Sequence, residues 1–192
     1  MWGGNKSGQE TPEERYRRVF EEMAVLCEEQ GWRDWSSYAR SKEILAAGVL
    51  GHKVASDYSG ADALGPNDEG YEYKSTIDKR CKGSYTGISV QPTWKEQEEY
   101  LIKEKIGKYK RHYYNRFEGG KLVESWYLTG EKVLEILLPK LERNYSNTLS
   151  RKDPRLSANV CWTEIKNNGK QVIKDGKHVL NEHGQRVDEE EE

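Results

Sequence analysis

The stretch GADALGPNDEGYEYKS, residues 60–75, decides how the chain is read. Two short strand-like segments flank a Gly-Pro-Asn-Asp turn. Side chains alternate along a strand, so Glu72 and Lys74 share one face and Tyr71, Tyr73 and Ser75 take the other. A carboxylate beside an ammonium on a strand calls for a third partner. With Asp62 on the neighbouring strand, two carboxylates meet beside one lysine. Two hard oxygen ligands suit Mg²⁺, which keeps waters and takes phosphate oxygens as further ligands. Such an ion acidifies a bound water and stabilises charge building on phosphorus. Lys74 would hold the attacking water and offset phosphate charge, and the Tyr73 carbonyl would be a further ligand. The expected catalytic residues are thus Asp62, Glu72 and Lys74, with Asp62, Glu72 and Tyr73 around one or two Mg²⁺.

The same letters also describe an exposed ion pair worth little, and Asp…Glu-x-Lys arises easily by chance where 33% of residues are charged. Two details favour a site. Asp62 sits among Gly60, Ala61 and Ala63 rather than in a solvated acidic cluster. Glu72 and Lys74 lie between tyrosines on a strand expected to be interior. Asp57, Asp68 and Glu69 are rival ligands, the last two in the turn. Glu43, on a helix, reads either as an accessory acid or as ordinary helix surface.

Upstream, residues 1–10 read as a flexible arm. Thr11-Pro12-Glu13-Glu14 reads as a helix start with a capping box. Val19, Phe20, Met23, Leu26 and Cys27 then form one apolar stripe, and Gly31 ends the helix. A second helix is expected from near Ser37 to Gly51. Downstream, SYTGISVQ is a strand closed by Pro92, and Thr93 with Glu96 opens a polar helix. YKRHYYNRF, EGG and KLVESWYL read as a hairpin. Residues 130–147 are helical, with Pro139 forcing a kink or a fresh start. LSANVCWTEI returns to strand. Val172, Val179 and Val187 each follow a glycine by three residues, which suggests small strands on Gly turns. The tail, residues 188–192, reads as disordered. The fold class is therefore α+β: a mixed central β-sheet flanked by helices, with a small C-terminal β-hairpin region. Residues 11–187 are expected to form a single domain, with strands of the site at 52–92 and a hairpin, helix and strand at 109–165.

Composition limits the alternatives. The 192 residues suffice for one domain with a core. Net charge is −2, but without residues 188–192 there are 31 basic side chains against 28 acidic. A slightly basic body permits a nucleic-acid partner. Cys27, Cys81 and Cys161 are odd in number and far apart, which indicates neither a disulfide frame nor a zinc site. The four histidines are scattered and read as surface residues. No apolar run reaches membrane-spanning length, so no membrane partner and a cytoplasmic or nuclear setting are expected.

Asp62 followed by Glu72-Tyr73-Lys74 resembles the PD-(D/E)XK nuclease pattern, with Ala61 in place of the usual Pro. More closely, the chain resembles the PvuII-type restriction endonucleases. The shared words are DA (62–63), EY (72–73), KS (74–75) and KG (82–83), in an ungapped run from about Lys42 to Pro92. Similarity returns in KLERNYS (140–146) and DPRLSANV (153–160). The resemblance implies a restriction-endonuclease-like fold and Mg²⁺-dependent cleavage of double-stranded DNA. It implies Asp62 and Glu72 as metal ligands and Lys74 as the catalytic lysine. It also implies a homodimer with the helix at 11–31 in its interface. Whether a separate cognate DNA methyltransferase accompanies it is left open, and the expected setting is cytoplasmic. The family's base-reading histidine run is replaced here by Gly87-Ile88-Ser89, and its asparagine pair by Lys152-Asp153, so a different target sequence is expected. Lys82, Ser84, Tyr85, Thr86, Ser89, Gln91, Lys152 and Asp153 are the expected DNA contacts. Of these, Gln91 suits adenine, Lys152 guanine and Asp153 cytosine. The basic, aromatic run at 103–114 reads either as a phosphate track or as a solvated helix end. Two other readings stay open: a structure-selective or repair nuclease with the same site, and a non-catalytic DNA-binding module.

Overall fold

The computed structural model describes residues 10–56 and 60–179. The chain divides into two compact units, residues 1–41 and 42–192. In the first, α1 (Pro12–Glu29) starts with the expected capping box: Thr11 Oγ1 accepts the Glu14 N–H, and the Glu14 carboxylate accepts the Thr11 N–H. Gly31, at φ 67°, takes the left-handed turn after it. Of the apolar stripe only Cys27 is buried. Val19, Phe20, Met23 and Leu26 each keep between 41% and 50% of their exposure, and Trp35 packs on Phe20. The unit boundary falls inside α2 (Tyr38–Leu50).

The second unit carries the sheets. β1 (Lys53–Val54), β2 (Ala63–Leu64) and β3 (Gly70–Thr76) run antiparallel in turn. A short 3-10 turn at Pro66–Asp68 joins the last two. After β4 (Gly83–Ser89) come α3 (Trp94–Tyr100) and a π-helical turn at Leu101–Lys105. The hairpin follows as β5 (Arg111–Glu118) and β6 (Lys121–Thr129), turning on Gly119 and Gly120, both at positive φ. Then come α4 (Gly130–Leu149), β7 (Arg155–Val160), α5 (Trp162–Asn168), β8 (Lys170–Lys174) and β9 (Lys177–His178). Seven strands form one mixed sheet, in the order β1-β2-β3-β5-β6-β8-β9, and β4 pairs with β7 in a separate ribbon. Within the seven, only β3 and β5 are parallel, across the crossover that carries β4 and α3. This is the expected α+β architecture, with a C-terminal hairpin on the sheet's edge.

Alternation along β3 separates two cores. On one side, Tyr71 and Tyr73 join Ala46 and Ala47 of α2 with Tyr113, Phe117 and Tyr127. On the other, Tyr114 joins Tyr85, Leu101, Leu137, Leu141 and Ile165. Glu72 and Lys74 project to that second side, because residues one step apart on a strand face opposite ways.

Some expectations are corrected. Of the two outcomes expected at Pro139, a kink or a fresh start, the fresh start does not occur: α4 runs through it, and the proline is exposed, where water can take the carbonyl it leaves unpaired. β7 stops at Val160, and Cys161-Trp162-Thr163-Glu164-Ile165 is helical rather than strand. Glu164 explains the switch, since its carboxylate accepts the Cys161 N–H and pairs with Lys140 at 2.6 Å. The histidine correction belongs to the site below. Asp57, the third Gly-Val unit and the acidic tail lie outside the described residues.

Candidate active site

β2 is only two residues long, and this brevity builds the site. Asp62 precedes it and stays in the ladder through its main chain: its N–H donates to the Tyr71 carbonyl at 2.9 Å, and its carbonyl accepts from Ala55 N–H at 3.2 Å. Beyond that point β3 has no strand on this edge. The next outward N–H, that of Tyr73, donates instead to Asp62 Oδ2 at 2.6 Å. By strand alternation the Tyr73 carbonyl leaves on the same edge. Tyr109 secures the approach from the other end, its hydroxyl donating to the Gly60 carbonyl at 2.9 Å.

The Asp62 carboxyl is pushed up to about 7. Burial is the main cause, and the charges of Glu72 and Glu43 add to it against the Tyr73 N–H and the Lys74 ammonium. Glu43 on α2 therefore acts on the site electrostatically, although its spacing alone left it undecided. Lys74 Nζ donates to Glu72 Oε1, and the two side chains keep only 21% and 18% of their exposure. That burial removes the reading of this pair as solvated surface. The ammonium also lies 5.0 Å from the centre of the Tyr85 ring, within cation–π range.

A pocket of about 110 Å³ opens over the pair. Ser84, Tyr85, Thr86 and Ile88 of β4 and Lys105 and Tyr109 complete its lining, which does not include Asp62. Below it, Tyr85 Oη is 2.9 Å from His112 Nδ1 and 3.0 Å from Tyr114 Oη, and His112 Nε2 is 3.1 Å from the Ile106 carbonyl. A carbonyl only accepts, so Nε2 carries the proton. Burial holds the imidazole neutral, with its pKa down at about 4, so Nδ1 accepts from Tyr85. Tyr85 in turn accepts from Tyr114. His112 is fully buried and His52 half-buried, its Nδ1 2.6 Å from Tyr73 Oη, so neither is the surface residue expected.

The expected DNA contacts divide. Ser84 and Thr86 are exposed at the pocket. Lys82 is exposed and pairs with Asp78. Ser89 Oγ accepts from Arg155 Nη1 at 3.0 Å, and Arg155 Nε donates to Asp153 at 3.2 Å. Lys152 and Asp153 lie exposed just before β7. Gln91 is held by its backbone, which donates to Gln97 Oε1 and accepts from Tyr145 Oη at 2.7 Å. Tyr85 departs from expectation: it is 6% exposed and is floor, not outer surface. Ile88 likewise faces the core at 1% exposure, because the ladder shifts register between Tyr85 and Ile88 and Gly87 turns the strand at φ 66°. Sequence reasoning missed Ser157 and Asn159, which share the ribbon's exposed face with Ser84 and Thr86. It noted the run containing Lys105 and Tyr109 but had no signal that both line the pocket, Lys105 at the end of a π-helical turn and Tyr109 in the segment after it.

Among the described residues no group of three or more His, Cys, Asp or Glu side chains is arranged to hold a metal ion. The donors present are two carboxylates and a carbonyl, all hard oxygens. Burial first, and then the Glu72 and Glu43 charges, disfavour a bare Asp62 carboxylate. Both fit a small divalent cation that completes its shell with water and phosphate. No protein-family model and no curated protein matches the chain. No helix among the described residues is long and apolar enough to cross a membrane.

Proposed function

We propose that the chain is a Mg²⁺-dependent endonuclease that cuts double-stranded DNA as a homodimer, in the manner of a PvuII-type, PD-(D/E)XK restriction enzyme. The observation that carries this is the half-buried Glu72–Lys74 pair together with an Asp62 carboxyl whose proton affinity is raised by burial and by the Glu72 charge. Asp62 and Glu72 would hold the ion, with the Tyr73 carbonyl beside them. Bound there, Mg²⁺ supplies Lewis-acid stabilisation of the charge that grows on the phosphate. Lys74 has three N–H donors and one goes to Glu72. The other two serve the attacking water and a phosphate oxygen. Lys105, across the pocket, offers a second cation to the backbone of the same strand. The exposed face of the β4–β7 ribbon, with Ser84, Thr86, Ser157 and Asn159, suits the edge of a DNA groove, and Arg155 lies at its end. Lys82, Ser89, Gln91, Lys152 and Asp153 remain contacts of this proposal. The exposed stripe of α1 supports dimerisation, which would place one site on each strand of a palindrome. The enzyme would act in the cytoplasm, beside a separate methyltransferase that protects the host site.

The test incubates the purified protein with plasmid and diverse genomic DNA, with Mg²⁺ or EDTA, beside Glu72→Ala. Discrete fragments formed only by the wild type with Mg²⁺ are expected. A metal-dependent smear would keep the nuclease but remove sequence-specific restriction. Absence of cleavage, with DNA binding unaffected by Glu72→Ala, would leave a binding module.

A further inference from the structure

The hydrogen-bonded chain under the pocket has no part in the proposed chemistry, yet it adjoins the strand that carries Glu72 and Lys74. Across the parallel β3–β5 ladder, His112 is the partner of Glu72 and Tyr114 the partner of Lys74. Tyr85 comes from β4, in the other sheet, and its hydroxyl closes the gap between them. The far end of the chain is the Ile106 carbonyl, one residue after Lys105. With Tyr85, His112 and Tyr114 at 6%, 0% and 0% exposure, water offers no substitute for these bonds. The Tyr85 ring therefore cannot tilt without stranding a buried donor or acceptor. Its face lies under the Lys74 ammonium, 5.0 Å away. Gly83 lets β4 approach this closely: a Cβ there would overlap the Tyr114 ring and stand 3.3 Å from Lys74 Cγ.

We propose that Tyr85 is a positioning residue for Lys74: its ring face holds the ammonium over the pocket, and Tyr114 and His112 hold the ring. The proposal rests on the nuclease reading for its effect on rate, but not for its geometry. Lys74 has a long stem with free torsions, and an ammonium held by Glu72 alone could swing with that carboxylate. The ring adds a second, cation–π contact that does not depend on Glu72. Tyr85 then contributes nothing to the reacting atoms directly and acts only through where Lys74 stands.

The experiment has two arms, each run on the wild type, Tyr85→Phe and Tyr85→Leu. In the first, protein labelled with ¹³C at lysine Cε is read by two-dimensional NMR, and Lys74 is assigned by the signal lost in Lys74→Arg. A ring above the ammonium moves the Lys74 Hε signals upfield of the other lysines. That displacement should be full in the wild type, reduced in Tyr85→Phe, whose ring has lost the hydroxyl that Tyr114 and His112 hold, and absent in Tyr85→Leu. In the second arm, single-turnover cleavage should fall roughly tenfold in Tyr85→Leu, the factor expected for a partly desolvated cation–π contact. DNA affinity should stay within about twofold, and Tyr85→Phe, which keeps the ring but not the bonds that hold it, should fall between the wild type and Tyr85→Leu; a Tyr85→Phe indistinguishable from wild type in both arms would remove Tyr114 and His112 from the proposal. A purely structural tyrosine would shift neither the Lys74 signal nor kcat separately from stability. An ordinary Lys74 signal in wild type overturns the proposal, even if Tyr85→Leu fails to fold. So does a folded Tyr85→Leu that cleaves at the wild-type rate. A wild type that cuts no DNA but shows the displaced signal refutes the nuclease and leaves the positioning role standing.

Discussion

Asp62→Asn should make the protein more stable at pH 8 while abolishing cleavage. The reason is the charge crowded around Asp62. Its carboxyl rises from an ordinary 3.8 to about 7, first through burial and then through Glu72 and Glu43. Below pH 3.8 the native and unfolded chains both carry the proton. Between 3.8 and about 7 the native state keeps a proton that the unfolded state has lost, so stability falls as pH rises. Above about 7 the penalty is complete and levels off. At about 1.4 kcal/mol per pH unit, the rise sets a ceiling of about 4 kcal/mol. Asparagine has no charge to bury, and its Oδ1 can still accept the Tyr73 N–H that Asp62 takes at 2.6 Å. The assay is urea unfolding of both proteins between pH 4 and 8.5. We expect the curves to meet near pH 4 and to separate by about 1–4 kcal/mol at pH 8. Mg²⁺ at ten times its dissociation constant should restore about 1.4 kcal/mol to the wild type and nothing to the variant. A variant no more stable than wild type at pH 8, or a difference independent of pH, would refute the electrostatic account of this site.

Other expectations separate chemistry from recognition and packing. Lys105→Ala should lower the salt dependence of DNA binding by about one unit of log K per log salt without moving the cut position, as a titration between low and moderate salt would show. Gly83→Ala should cost about 1–3 kcal/mol in urea unfolding, because its new methyl meets the fully buried Tyr114 ring. Ile88→Ala should cost about 2–5 kcal/mol of stability and leave site choice alone, since the side chain is core rather than groove; altered fragment patterns in that variant would argue against its inward orientation. Asn159→Ala, on the ribbon's exposed face, should relax discrimination at one base pair by about 1–3 kcal/mol, read by sequencing the ends cut from a random library.

Much of this was written locally. Capping boxes at Thr11–Glu14 and Thr93–Glu96 announce two helices because their hydrogen bonds lie within four residues. Gly119-Gly120 announces the hairpin because only a backbone free to take positive φ closes so tight a turn. The placement of Glu72 and Lys74 opposite Tyr71 and Tyr73 follows from a strand's period of two and needs no tertiary knowledge. Cys161 shows the limit of such reading, since LSANVCWTEI continues a strand's composition until Glu164 reaches back and Lys140 of α4 fastens it.

Local pattern alone thus pointed to most of the elements, to the faces of β3 and to the candidates Asp62, Glu72 and Lys74. Only the tertiary structure decided that β5 lies parallel to β3, which sets His112 beside Glu72 and Tyr114 beside Lys74. It alone turned Tyr85 and Ile88 inward, brought Lys105, at the end of a π-helical turn, and Tyr109 to the pocket, and placed Glu43 within electrostatic reach of Asp62. The physical reason is range. Alternation and caps are settled between residues a few positions apart. Strand partners, burial and the field at a carboxylate depend on segments tens of residues away, and no local pattern encodes which of them arrives.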